Sequence, residues 1–102
     1  MTDEGINQFK AMPKISKQPA SCKVNAGKNA IYRISAVGKN LKYQWQYSEN
    51  NGETWKKVTI KGYNTAELKI KGTKAKDGRM YRYKVNNGTG AVYSKSAKIT
   101  VK

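Results

Sequence analysis

The chain has no histidine and only one cysteine, Cys22, in 102 residues. Those two absences remove most of the common catalytic repertoire: no Ser-His or Cys-His pair, no imidazole base, no thiolate zinc cluster and no intrachain disulfide. Acidic residues are scarce as well, six against 21 basic ones, which leaves a net charge of +15. Long apolar runs are also missing. Nothing approaches the roughly 20 consecutive apolar residues that a membrane-spanning helix requires. The opening MTDEGINQFKAM places acids where a secretory signal carries positive charge, and it lacks an apolar centre, so this stretch holds no signal peptide. Two expectations follow: the chain stays on the cytosolic side when made, or it was cut from a longer secreted protein and given a start Met.

The positive excess belongs to the body of the chain. Asp3, Glu4 and Lys10 lie in the first twelve residues, which leaves residues 13 to 102 with 20 basic groups against 4 acidic ones, a net +16. All but three of the basic residues, Arg33, Arg79 and Arg82, are lysine. Such a balance favours solubility, repulsion between copies and attraction to polyanions, and it says nothing about fold. This length suits one domain that can bury a core without metals or bridges.

The pattern is one of short strands. From Ala30 to Tyr47, on either side of the Gly38-Lys39-Asn40 turn, large apolar residues alternate with polar or smaller ones. Ala30, Tyr32, Ile34 and Ala36 share one face; Leu41, Tyr43, Trp45 and Tyr47 share another. Trp45 is the natural centre, because a buried indole removes about 150–250 Å² from water and needs a partner for its N–H. Before this stretch, Met1 to Met12 reads as a tail or linker with Ile6 and Phe9 as docking candidates, Pro13 to Pro19 as a proline-bracketed edge strand, and Cys22 and Val24 as a short alternating segment. After it, Ser48 to Thr54 reads as a hairpin loop, Trp55 to Ile60 as a short strand, and Thr65 to Lys71 as a strand with Ala66, Leu68 and Ile70 on one face. A basic turn leads to Met80–Val85, which aligns Tyr81, Tyr83 and Val85; NNGTG is a hairpin turn, and Ala91 to Val101 closes the chain. With no helical period and turn signals throughout, the expected fold is all-β, a Greek-key sandwich of about seven or eight antiparallel strands over residues 13–102.

The succession PKISKQP, VNAGKNAIYRISAVG, LKYQWQYSENNGETW, TAELKIKG, DGRMYRYKVNNGTG and AKITV resembles the immunoglobulin-like (Ig-like) domains of bacterial surface proteins and phage virion proteins. In that pattern Trp45 matches the strand-C tryptophan, Asp77 the acid before strand F, and Tyr81 the tyrosine-corner residue. Ile34 and Tyr83 stand at the two disulfide positions, so the resemblance implies a disulfide-free version in which both pack on Trp45. It further implies an interaction or spacer module on a bacterial cell surface or phage virion. A virion protein assembles in the cytosol and needs no signal, which suits the start of this chain.

Candidate sites are few. Lys69, Lys71, Lys74, Lys76, Arg79 and Arg82 form the densest basic cluster and the first candidate for an anionic polymer, glycan or nucleic acid. With lysine dominant, recognition would be by point charge rather than by bidentate arginine. Alternation sends Arg33 and Lys69 outward on one sheet and Lys42, Arg82, Lys84 and Lys98 outward on the other, so the charge wraps the domain instead of forming the single aromatic-interleaved stripe of a nucleic-acid binder. Lysines on edge strands also block sheet-to-sheet aggregation. Trp55 and Tyr63 flank a turn and are expected to pack on each other beneath the loop, or else to stack on a sugar ring or a partner. Asp77 with Glu49 or Glu53 is the one conceivable carboxylate pair for glycoside hydrolysis, and turn or cap roles suit these residues better. The expectation is therefore a non-catalytic module without cofactor or metal, meeting an anionic surface polymer, a glycan or neighbouring domains of a larger protein. The alternative is a nucleic-acid-binding domain acting through diffuse lysine charge. Cys22, in a short edge segment, would crosslink copies on oxidation if it faced solvent.

Overall fold

The computed structural model describes residues 13–88 and 90–102. The expected tail, with Ile6 and Phe9, lies outside the described residues. Ten strands follow one another: β1 (Lys14–Lys17), β2 (Cys22–Val24), β3 (Asn29–Arg33), β4 (Ser35–Val37), β5 (Lys42–Ser48), β6 (Lys56–Lys57), β7 (Glu67–Lys71), β8 (Met80–Asn86), β9 (Ala91–Tyr93) and β10 (Ala97–Val101). A single 3-10 turn, Lys74–Lys76, is the one helical element among the described residues.

Six strands make the larger sheet in the order β2-β10-β8-β5-β6, with β9 also on β8. The smaller layer is built from the pairs β1-β4 and β3-β7. Its strands β3 and β4 are one run of chain interrupted at Ile34, whose N–H donates to the Ala66 carbonyl at 3.0 Å. The sequence expects one strand here; the structure turns it from β7 to β1 at that residue. The expected closing strand is likewise split. Ser94 leaves the ladder because its hydroxyl accepts from the Tyr83 N–H at 2.8 Å and donates to the Lys95 carbonyl. The expected strand at Trp55–Ile60 shrinks to the two residues of β6, both exposed, with one further bond from the Val58 N–H to the Trp45 carbonyl at 3.0 Å. One pairing is parallel: β2 runs alongside β10, Cys22 opposite Ile99.

The core lies between the layers and takes its largest members from β3, β5 and β8. Trp45, Tyr32, Tyr83 and Leu68 have no exposed surface, and Ile34, Ile70, Tyr81, Val85 and Ile99 are among the residues buried with them. The Trp45 indole N–H donates to the Thr65 carbonyl at 2.7 Å, so the ring both fills the core and fastens the β6–β7 connection to it. Tyr83, at one former disulfide position, tilts against the indole at a centroid distance of 4.5 Å. Ile34, at the other, is buried in the same cluster. Tyr32 lies 6.3 Å from the Trp45 ring and 5.2 Å from that of Tyr81. Burial pushes the phenol pKa values of Tyr32 and Tyr83 well above the usual range. Both hydroxyls are buried without a hydrogen-bond partner among the described residues; that of Tyr32 faces the Cys22 thiol without meeting hydrogen-bond geometry.

The motif DGRMY is used differently from the corner the resemblance suggests. Among the described residues the Tyr81 hydroxyl makes no hydrogen bond to backbone; its polar neighbour is Arg79, which opposes the rise that burial imposes on the phenol. Asp77 does the fastening instead. Its Oδ1 accepts from the Val101 N–H at 2.8 Å, while the Gly78 N–H donates to the Ile99 carbonyl and the Ile99 N–H to the Arg79 carbonyl. These bonds extend the β8–β10 contact past the formal strand. Gly72 permits a second close approach: a Cβ there would stand 2.6 Å from Val24 Cγ2 and 3.2 Å from the Lys28 carbonyl oxygen.

Three outcomes are expected. Trp45→Ala should cost about 3–5 kcal/mol in urea denaturation, the range for deleting a large buried ring, and an unchanged midpoint would mean the core does not depend on it. Asp77→Ala should cost about 1–3 kcal/mol by stranding the Val101 N–H, while Asp77→Asn retains an acceptor and should recover most of the loss; equal losses would point to charge instead. The Cys22 thiol, half-buried and 3.4 Å from the Ile31 carbonyl oxygen, should resist air oxidation to a dimer and react with a thiol reagent much faster once the chain is unfolded. A native disulfide dimer on a non-reducing gel would contradict this packing.

Candidate functional site

Because Trp45, Tyr83 and Val85 point into the core, the residues between them on β5 and β8 line the outer face of the larger sheet. Gln44 and Gln46 of β5 stand beside Arg82 and Lys84 of β8, since Gln44 pairs with Lys84 and Gln46 with Arg82. Lys57 of β6 lies opposite Gln46. Lys42, Tyr43, Gln44, Gln46, Lys57, Lys84 and Asn86 line a shallow concavity of about 160 Å³.

One wall of this face is held by a stacked arginine. The Arg82 guanidinium lies between two rings, 4.2 Å from the centroid of Trp55 and 4.2 Å from that of Tyr93. Its Nε donates to Gln46 Oε1 at 2.7 Å, which fixes that amide's orientation. Contacts of this kind are worth about 0.5–2 kcal/mol, more as water is excluded. Partial burial lowers the arginine's pKa from its ordinary value, yet guanidinium stays charged at any working pH. Trp55 is anchored in turn by its Nε1–H, which donates to the Gly52 carbonyl at 3.1 Å. The loop beneath is shaped by Ser48, whose hydroxyl accepts from the Gly52 N–H at 2.8 Å, and by Asn51 and Gly52 at positive φ.

The expected basic cluster does not come together as one patch. Lys69 and Lys71 project from β7 on the smaller layer, Lys74 and Lys76 sit in the 3-10 turn, and Arg82 is on the opposite sheet. Lys76 turns back to donate to the Lys71 carbonyl at 3.1 Å. Arg79 is committed elsewhere: its side chain is 23% exposed, its Nη2 lies 3.1 Å from Glu49 Oε2, and its guanidinium is 4.9 Å from the Tyr47 ring centroid. The same Glu49 meets Lys56 at 3.2 Å. That lysine and Arg79 hold the Glu49 carboxyl below the usual range, so whatever the cluster contributes to stability is lost as pH falls through the lowered value. Of the carboxylates considered from sequence for a hydrolytic pair, Glu49 is paired to cations and Asp77 is bonded to β10. Among the described residues no group of three His, Cys, Asp or Glu side chains is placed to hold a metal, and no helix is long and apolar enough to cross a membrane.

Trp55 and Tyr63 also part company. Trp55 packs on Arg82, whereas Tyr63, in the β6–β7 connection, is 39% exposed and contributes its carbonyl to the Trp45 N–H at 2.7 Å. The residues that sequence reasoning passed over are Tyr93, Gln44 and Gln46. A signal existed for the glutamines, since alternation around Trp45 turns them outward. Tyr93 is reached only through the register of the NNGTG hairpin, which sets it opposite Lys84 and diagonal to Arg82.

Among curated proteins, none matches the chain. Solved structures do. The N-terminal Ig1-2 module of the Drosophila receptor protein tyrosine phosphatase DLAR superposes with a TM-score of 0.69 at 25% identity over 88% of this chain and 48% of that one. Tandem Ig repeats of Dlar give 0.71 at 20% identity, again over 88% and 48%, so the chain spans about half the length of these fragments. The titin M3 domain gives 0.64 at 20% identity over 88% of this chain and 96% of that one. These likenesses establish an Ig-like β-sandwich. Residues 13–102 match the family model described as "Domain of unknown function (DUF8696)", and the chain belongs to that family.

Proposed function

We propose that this chain is a non-catalytic interaction module, an Ig-like domain of a bacterial cell-surface or phage virion protein that holds or extends neighbouring domains and adheres to an anionic polymer or glycan. The observation that carries the reading is the distribution of charge on the folded domain. The described body has a net excess of positive groups on both outer faces, and only three ion pairs, those of Arg33, Lys56 and Arg79, offset it among the described residues. Most lysines are therefore left to solvent and to whatever anion approaches. The fold supports an interaction or spacer role.

The alternative is a nucleic-acid-binding domain working through the same lysines. Its support is the Trp55–Arg82–Tyr93 stack, since aromatic rings beside cations suit bases and phosphates. Against it stands the spread of charge over both sheets.

At low salt the chain should bind an acidic polysaccharide, with log affinity falling linearly against log salt concentration, and should bind duplex or single-stranded DNA no better at matched charge. Fluorescence anisotropy across a salt series measures both. Failure to bind any polyanion or bacterial cells at low ionic strength would leave only the spacer role; a clear preference for nucleic acid would favour the alternative.

A further inference from the structure

The outer concavity of the larger sheet has an unusual hydrogen-bond inventory. Both N–H groups of the Gln44 amide are spent inside the protein, on the Trp45 carbonyl at 2.8 Å and the Val58 carbonyl at 2.9 Å, which leaves its Oε1 as an acceptor. Gln46 is fixed the other way round, because its Oε1 already accepts from Arg82 and its N–H groups have no partner among the described residues. Asn86 resembles Gln46: its Oδ1 accepts from the Gly88 N–H at 2.7 Å, and its amide nitrogen is left as a donor. Around these three amides stand the ammonium groups of Lys42, Lys57 and Lys84, and among the described residues no carboxylate lines the concavity. The site thus offers many donors, three positive charges and one held acceptor.

We propose that this concavity binds one acidic sugar residue of an anionic glycan, with the three lysines around its carboxylate or sulfate, Gln46 and Asn86 donating to ring or hydroxyl oxygens, and Gln44 accepting from a hydroxyl. The inference rests on the reading of the chain as an adhesive module for anionic polymers and places that adhesion on one face. Three features select a sugar. The space, about 160 Å³, is on the scale of a single six-membered ring, since a cavity of about 150 Å³ accommodates benzene. Sugar hydroxyls donate as well as accept, so they use Gln44 and Gln46 together, whereas a phosphodiester oxygen only accepts. Among the described residues the one aromatic of the lining is Tyr43, whose ring is stacked on Tyr83 at 5.3 Å, so the concavity is lined by amides and ammonium groups more than by surfaces for a base. A shallow site for one residue binds weakly, and a polymer of repeated acidic units gains from rebinding at high effective concentration.

The test compares two triple variants of the full chain that remove equal charge. Lys42→Gln/Lys57→Gln/Lys84→Gln strips the concavity, while Lys14→Gln/Lys69→Gln/Lys71→Gln strips the opposite layer. Binding to polygalacturonate, to dextran sulfate, to neutral dextran and to DNA is measured at one low salt concentration. The first triple should lose about tenfold or more in affinity for the acidic glycans and the second less than about threefold, the smaller loss being the non-local electrostatic part. Equal losses would overturn the site and leave the adhesive reading standing; a wild-type chain that binds no polyanion would overturn the reading itself. DNA bound as tightly as the glycans, with the same variant pattern, would reduce the site to a general polyanion contact and overturn the sugar; DNA bound more tightly would replace the sugar by nucleic acid. Should the first triple fold poorly, resonances on the wild-type chain decide: the side-chain amides of Gln44, Gln46 and Asn86 should shift on adding polygalacturonate, and unmoved amides would reject the proposal.

Discussion

The structure depends on the enclosure of one indole whose single polar atom finds a carbonyl in the connection between the layers. Trp45 donates to Thr65, its own N–H donates to Tyr63, and its carbonyl accepts from Val58, so the ring and backbone of one residue tie down three points of the 58–66 crossover. A crossover without ordered strand pairing would otherwise carry its conformational entropy unopposed. Tyr83 and Tyr32 lean on the same ring, and Tyr83 and Ile34, both in the buried cluster, stand where other sandwiches place a covalent link between the layers. Close packing here does what a bridge does elsewhere, at the cost of two buried hydroxyls without partners.

With the interior closed in this way, the chemistry left on the surface follows from alternation. Each inward aromatic on β5 and β8 leaves an outward polar neighbour, and the register between the strands sets Gln44 beside Lys84 and Gln46 beside Arg82. The arginine stack then stiffens this outer face: long side chains that would be mobile on an open sheet are held by Trp55, Tyr93 and Gln46. Rigid amides among mobile lysines combine a steering field with fixed hydrogen bonds.

Much of this was legible in the sequence. The strand alternation placed Tyr32, Ile34, Trp45, Leu68, Ile70, Tyr81, Tyr83 and Val85 inward, as the structure has them, because the period of two is a local property of the chain; Ala66, expected on the same face as Leu68, lies just ahead of β7 and is exposed. What failed was non-local. The break at Ile34 reflects which neighbour each half of the strand pairs with, and the parallel match of β2 with β10 joins residues far apart in sequence. The six basic residues of the expected cluster are close in the chain but are distributed by the crossover from one layer to the other. Trp55 and Tyr63 were grouped by their nearness to a turn, whereas the turn sends them to different surroundings. Asp77 accepts a backbone hydrogen bond, and that role needed the position of Val101 to be known.

The parallel pairing of β2 with β10 has a mechanical consequence. These are the second and the last strands of the chain, running side by side in the same direction. Traction applied at the two ends would pull them lengthwise past each other, so their hydrogen bonds would share the load and fail together instead of peeling open singly.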